Sequence, residues 1–182
     1  MAWRNSNERY GTLSISLHWL TALLLVAVYA LIELHDALGR TPGARAAEHW
    51  HSMLGLLVWF LTLIRLPLRL LQPVPAIQPP LVFWQRRLAL ATHAALYILL
   101  LFMPVLGWLI LSAEGGEITF FGLHVPPIHA RDRDYAATVA EVHGTIGNIG
   151  YALIALHTAA GLFHHYVQRD NTLSRMLPKR GG

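Results

Sequence analysis

The sequence predicts an all-α membrane protein, a single four-transmembrane-helix bundle with N- and C-termini cytoplasmic, and three observations lead there. Hydrophobic residues make up 54% of the chain and charged residues 13%, far from the ~25% charged of a soluble domain. Four apolar stretches, 13–34, 52–71, 88–112 and 145–167, each clear the ~18 residues that a spanning helix needs. The basic residues sort by side. With the N-terminus inside, Arg4, Arg9, Arg65, Arg69, Arg86, Arg87, Arg169, Arg175, Lys179 and Arg180 fall on the cytoplasmic side and only Arg40, Arg45, Arg131 and Arg133 outside, which is the bias that sets orientation. The net charge of +4 therefore reflects topology and contact with membrane lipid, and no nucleic-acid motif accompanies it. Residues 1–182 read as one domain without an internal repeat.

Each element has its own signals. The first helix follows the polar segment 5–10 and carries Ser16-Leu17-His18-Trp19 near the cytoplasmic face. Its apolar run is about 20 residues long without a small-residue cleavage site, so it reads as a retained helix rather than a signal peptide. Residues 33–47, with Gly39, Pro42 and Gly43, are expected to form an outer loop. The second helix is expected to open at Glu48-His49-Trp50-His51, placing His51 near the outer face and Arg65 fourteen residues deeper on nearly the same helix face. The connection 72–80 holds Pro73, Pro75, Pro79 and Pro80 and reads as an extended tether. The third helix carries His93 near the cytoplasmic face and a kink site at Pro104. Residues 113–127 read as an outer loop, after which Asp132 or Asp134 caps a fourth helix longer than the bilayer requires.

The histidines carry the chemistry. Of eleven, His35, His49, His124 and His129 lie in or beside outer loops and read as solvated. His18, His51, His93, His143, His157 and His164 lie in apolar surroundings, where ionisable residues are costly and face the bundle interior. His143 and His157 are fourteen positions apart, which returns to within about 40° of one helix face and separates them by roughly 21 Å along the axis. The same face holds Gly147, Gly150, Ile154 and Gly161, so a flat, bulky group is expected against it. His51 matches His143 in depth, while His157 can pair with either His18 or His93, and spacing leaves that choice open. Two stacked haems held by axial histidines meet this need, with irons about 20 Å apart in height across a ~30 Å core. The absence of cysteine excludes disulfides, iron–sulfur clusters and covalently attached haem. Zinc or copper transport would call for carboxylates or thiolates at the membrane midplane. No Asp or Glu of the spans is available to pair with Arg65, so a propionate of the inner haem is its expected partner.

Ser16-Leu17-His18-Trp19, His51 with Gly55, Arg65-Leu66-Pro67-Leu68-Arg69, Leu106-Gly107, Gly150-Tyr151 to His157, His164-His165-Tyr166 and Asp170-Asn171-Thr172 together resemble the bacterial cytochrome b561 family of small four-helix di-haem proteins. The likeness extends over nearly the whole chain. It implies two haem b groups in a multi-pass protein of the bacterial inner membrane. It also implies that His18, rather than His93, completes the inner site with His157, leaving His51 with His143. A quinone pocket is implied beside the inner haem, formed by Ser16 and His164, with His93 as a third candidate and His164 as proton donor.

The pattern is similar to the superoxide oxidase branch, which implies a superoxide:ubiquinone oxidoreductase that takes electrons from superoxide outside and delivers them to ubiquinone. The cytochrome subunits of formate dehydrogenases and nickel–iron hydrogenases look similar in haem arrangement. They imply the alternative, a non-catalytic subunit linking quinone to a dehydrogenase or periplasmic redox partner, and the chain is expected to act as a monomer. The outer loops mix arginines with carboxylates, whereas steering an anion such as superoxide calls for a positive funnel. The electron donor is the feature on which the two readings divide.

Overall fold

The computed structural model describes residues 3–178, and Lys179 and Arg180, two of the basic residues assigned to the inner side, lie outside the described residues. Four helices dominate: α1 (Thr12–Leu38), α2 (Pro42–Leu71), α3 (Phe83–Glu114) and α4 (Arg133–Phe163). All four are long and apolar enough to cross a membrane. Large apolar side chains such as Leu23, Val26, Phe102 and Ile149 point outward, as lipid-facing positions require, since lipid replaces the water that would penalise their exposure. Two buried threonines at the helix contacts are satisfied within their own helix. Thr21 and Thr62 are buried and donate their hydroxyls to Leu17 O and Val58 O, both at 2.7 Å.

The helix ends differ from the expectation in three places, one of them the start of α3 at Phe83, ahead of Arg86 and Arg87 rather than after them. Residues 33–47 are not a loop: α1 runs to Leu38, and α2 opens at Pro42 rather than Glu48, leaving only residues 39–41 as the connection. The reason is a start signal at Thr41-Pro42. The Thr41 hydroxyl accepts from Ala44 N at 3.2 Å, and Pro42 occupies a position where no N–H is needed. Gly39 adopts φ +58° and its N–H caps α1 on His35 O, a turn that favours glycine. Within the loop 115–132, β1 (Thr119–Phe120) and β2 (Leu123–His124) form a small antiparallel hairpin, and Phe120 packs on Phe60 of α2 with ring centroids 5.3 Å apart. Asp132 caps α4, its carboxylate accepting from Tyr135 N at 3.0 Å.

At the opposite end, three segments are tied together. Asn5 Oδ1 accepts from Gly11 N at 2.9 Å and from the Ser14 hydroxyl at 2.8 Å, while Asn5 N donates to Gln72 Oε1 at 2.9 Å. A side chain at Gly11 would strike the backbone of Trp3 and Arg4, so glycine is required for this close crossing. The extended 72–82 connection meets the C-terminal tail through Gln78 N to Asn171 Oδ1 at 2.9 Å, and Trp19 Nε1 donates to Met176 O at 2.7 Å. The two terminal segments thus share one end of the bundle. The helices pack as two antiparallel pairs, α1 with α2 and α3 with α4, and the pairs meet chiefly along α2 and α3.

Candidate functional site

Between the two helix pairs, histidines face one another at two depths. At the end bearing the 39–41 connection, His51 of α2 faces His143 of α4 with ring centroids 6.3 Å apart and planes at 69°. At the end bearing the terminal segments, His18 of α1 faces His157 of α4 at 6.2 Å and 70°. Two imidazoles on opposite sides of one metal, with metal–nitrogen bonds of ~2.0–2.1 Å and a ring centre ~1.1 Å from each nitrogen, have centroids about 6.3 Å apart. Both pairs have that separation. His93 of α3 also reaches His157, but at 5.3 Å and 82°, which is too close for two imidazoles on opposite sides of one metal.

The His51–His143 site has room for a flat group. A cavity of about 470 Å³ lies there, lined by His51, Gly55, Met103, Gly107, His143, Gly144 and Gly147 among others, a volume in the range of cofactor sites. A Cβ at Gly55 or Gly144 would meet nothing within 4 Å, and one at Gly147 only Met103 Cε at 3.7 Å. His51 Nδ1 lies 2.8 Å from Val28 O. A carbonyl only accepts, so Nδ1 carries the hydrogen and Nε2 is left with the lone pair that a metal takes. His143 Nδ1 is buried without a partner. These residues fit a haem held by two axial histidines.

One part of the glycine face is corrected. Gly150 does not clear space for a bound group: a Cβ there would strike the Tyr29 hydroxyl and lie 3.2 Å from Leu99 Cδ2. It lets α1 approach α4, and the Tyr29 hydroxyl donates to Gly147 O at 3.1 Å. Tyr29 also stacks on Tyr151 at 4.3 Å, whose hydroxyl donates to Glu33 Oε1 at 2.5 Å. Glu33, Asp36, Glu48 and Glu114 line this cavity, and no Arg or Lys does.

Around the His18–His157 pair the sequence-derived residues are distributed unequally. Arg65 turns into the bundle, where Nη2 donates to His18 Nδ1 at 2.8 Å and the guanidinium lies 5.8 Å from the Tyr97 ring centre. His93 Nδ1 lies 2.5 Å from Ala89 O. Ser16 is exposed at the same end. His164 opens the π-helical turn His164–Gln168 that follows α4, and its Nδ1 lies 2.5 Å from Asp170 Oδ2. Ser16, His93 and His164 share this end without touching one another among the contacts of the described residues.

Asp170 is the partner of His164 that sequence reasoning passed over. It appeared only as part of a matching segment, although an acid six positions beyond a histidine, across a helix end, is the available signal. Burial works against its ionisation, but hydrogen bonds from Thr172 and His164 prevail and hold the carboxyl below its ordinary range. The carboxylate is therefore charged at neutral pH and accepts the His164 Nδ1–H.

The sequence profile described as prokaryotic cytochrome b561 matches residues 9–179. The chain is 37% identical over 174 residues to cytochrome b561 homolog 1 of Escherichia coli (strain K12), covering 95% of this chain and 99% of that protein. It is 34% identical over 183 residues to the probable superoxide oxidase CybB of Yersinia pestis, covering 97% and 99%. A cytochrome b562 of Cereibacter sphaeroides is 29% identical over 178 residues, covering 94% and 96%. With its four apolar spans and facing histidines, the chain belongs to the prokaryotic cytochrome b561 family, bacterial membrane proteins that bind haem b and transfer electrons.

Proposed function

We propose that this protein is a di-haem oxidoreductase carrying single electrons between an outward-facing His51–His143 site and quinone beside an inward-facing His18–His157 site. The observation that supports it most is the repeated 6.2–6.3 Å separation of two histidine pairs at two depths. His51 and His143 would hold the outer haem, and His18 and His157 the inner one. Bound haem supplies reversible one-electron chemistry. The chain supplies orientation: the Val28 carbonyl fixes the His51 ring, and α4 carries one ligand of each pair. The segregation of basic residues supports an inward-facing terminal end.

The finer reading is superoxide oxidation coupled to ubiquinone reduction, supported by the name of the Yersinia pestis relative. Each superoxide loses one electron and leaves as oxygen, and ubiquinone takes two electrons and two protons to become ubiquinol. Superoxide oxidation needs no proton donor, but quinone reduction does. His164 is suited to this role because Asp170 takes its Nδ1–H and leaves Nε2 for exchange with the quinone oxygen or water. Asp170→Asn is expected to slow haem reoxidation by quinone about tenfold or more, with Asp170→Glu recovering part of the rate. Haem content should not change. Equal reoxidation rates in all three proteins would remove Asp170 from proton delivery.

A second reading has an observation in its favour. Four carboxylates and no Arg or Lys line the outer cavity, which repels an anion and suits a cationic periplasmic redox protein. One pair of measurements decides. A pyridine haemochrome assay is expected to give two haems per chain, and one or none would overturn the di-haem reading. A superoxide-generating system is then expected to reduce the haem, with superoxide dismutase abolishing the reduction. Reduction that dismutase leaves untouched, or no reduction at all, would assign the outer site to a protein donor.

A further inference from the structure

We propose that the β1–β2 hairpin is a lipid-seated wedge, with Phe121 at its tip and the neighbouring Leu123 lying among the acyl chains of the leaflet at the His51–His143 end, beside α2. This seat depends on neither haem nor quinone, and it extends the lipid-facing surface beyond the four helices.

The stretch that forms the hairpin has the composition of a lipid-facing segment. Between Glu117 and Arg131 no Asp, Glu, Lys or Arg occurs, and Ile118, Phe120, Phe121, Leu123, Val125 and Ile128 fall in this interval. A connection bathed in water is usually richer in polar turn formers. The turn points the same way. Phe120 pairs with Leu123, so Phe121 and Gly122 are the two turn residues, at φ +48° and +84°. A two-residue turn with positive φ at both positions favours Asn, Asp or Gly at the first, and this chain has a phenylalanine there. A bulky side chain in the left-handed region is strained, and such strain persists where the surroundings hold it, chiefly at functional positions. The ring does not serve the core. Phe121 is 54% exposed and Leu123 69% exposed, an arrangement that water penalises.

The hairpin lies along α2 rather than rising above it. Phe121 N donates to Met53 Sδ at 3.2 Å, and the Phe120 ring meets that of Phe60. Met53 is two residues beyond His51 and Phe60 nine, so Phe60 lies roughly 13 Å deeper than the histidine along the helix axis. No charged residue of α2 occurs between Glu48 and Arg65, and both contacts therefore fall within its apolar span. The returning chain is held on α3 in the same way. Trp108 Nε1 donates to Pro126 O at 3.1 Å, and Ile128 N donates to the Ser112 hydroxyl at 3.1 Å. Trp108 and Ser112 both precede Glu114, the first charged residue at that end of α3.

Lipid is the occupant because this surface continues one that already faces lipid. Phe60, Leu63 and Ile64 are exposed on α2, which is one of the membrane spans. Phe120 touches the first of them, and Phe121 and Leu123 carry the same apolar surface toward the headgroups. Ile118, just ahead of β1, is buried and lines the His51–His143 cavity, so the hairpin stands between that cavity and the acyl chains. A two-stranded hairpin has outer backbone groups that need water or headgroups, which keeps it out of the centre of the bilayer. Its seat is the boundary between headgroups and acyl chains, where apolar side chains insert by ~5–10 Å.

The test uses single-cysteine variants, each labelled at one site because the chain contains no cysteine. Phe121→Cys and Leu123→Cys carry a nitroxide in vesicles of phosphatidylethanolamine and phosphatidylglycerol. Ile149→Cys, on the exposed apolar side of α4, and Arg40→Cys, in the 39–41 connection, serve as the lipid and water references. Collision of the label with oxygen, which concentrates in lipid, is compared with collision with a polar nickel chelate, which stays in water. The oxygen-to-nickel ratio at Phe121 and Leu123 is expected to exceed that at Arg40 by about tenfold or more and to approach that at Ile149. Ratios equal to that at Arg40 would overturn the proposal and leave the tip in water, open to a protein partner. Spin–spin broadening that disappears on dilution with unlabelled protein would place a second copy of the chain on the hairpin and overturn it equally. The unsubstituted protein gives a measurement that no folding defect can disturb. A phospholipid with a photoactivatable diazirine on its acyl chain is expected to label the 118–128 segment, and labelling confined to the four helices would overturn the proposal as well.

Discussion

His51→Ala and His143→Ala are each expected to remove one haem and leave the other reducible by quinol. The two rings come from different helices but meet at one depth, 6.3 Å apart, while the second pair meets fourteen residues further along α4. Neither substitution touches His18 or His157. Loss of one histidine takes away a bond that no other imidazole of the cavity replaces, because the remaining wall holds no further histidine. The haem-to-protein ratio is expected to fall from two to about one. His143→Gly with added imidazole is expected to restore part of the missing component, because the vacated space can admit the free base. Selective loss of the component that quinol reduces directly would invert the assignment of the two sites.

How much of this was legible in the sequence depends on the kind of interaction. The spans were legible because membrane burial demands long apolar runs, and the two histidine levels were legible because helical periodicity converts a spacing of fourteen into a shared face. The choice between His18 and His93 was not. Both lie near the inner end of their helices, and only the distances of 6.2 and 5.3 Å to His157 separate them. Gly150 shows the limit of the helical wheel from the other side. It shares the glycine face, yet its missing side chain accommodates Tyr29, a packing contact set by another helix 121 positions away in sequence. The early start of α2 was hidden because Gly39, Pro42 and Gly43 together resemble loop composition, although Thr41-Pro42 is a good start signal. Asp170 was missed because a π-helical turn and a tight cap at Arg169, at φ +55°, bring it back onto His164, and local periodicity does not encode that reversal.

Arg65→Gln is expected to lower the potential of the inner haem selectively. Arg65 lies within the bundle, with Nη2 2.8 Å from His18 Nδ1 and no carboxylate partner among the described residues. That contact requires a lone pair on Nδ1. A neutral imidazole that gives its Nε2 lone pair to iron carries hydrogen on Nδ1 and cannot accept from a guanidinium. The Arg65–His18 hydrogen bond and ligation by neutral His18 therefore exclude each other. Once His18 is a ligand, the guanidinium needs another acceptor, and leaving a buried cation unpaired is costly. A haem propionate is the anion that such a site brings with it, and the long side chain of Arg65 can change partner by rotation about its own bonds. Reduction adds an electron to the haem, so a fixed positive charge nearby favours the reduced state. Removing it at an effective dielectric of about 20 costs roughly 2 kcal/mol, a downward shift on the order of 50–100 mV. Arg65→Lys, which keeps the charge but not the planar fork, is expected to recover most of the potential. A redox titration in which Arg65→Gln leaves both potentials unchanged, with haem content intact, would rule out any contact between Arg65 and the inner haem.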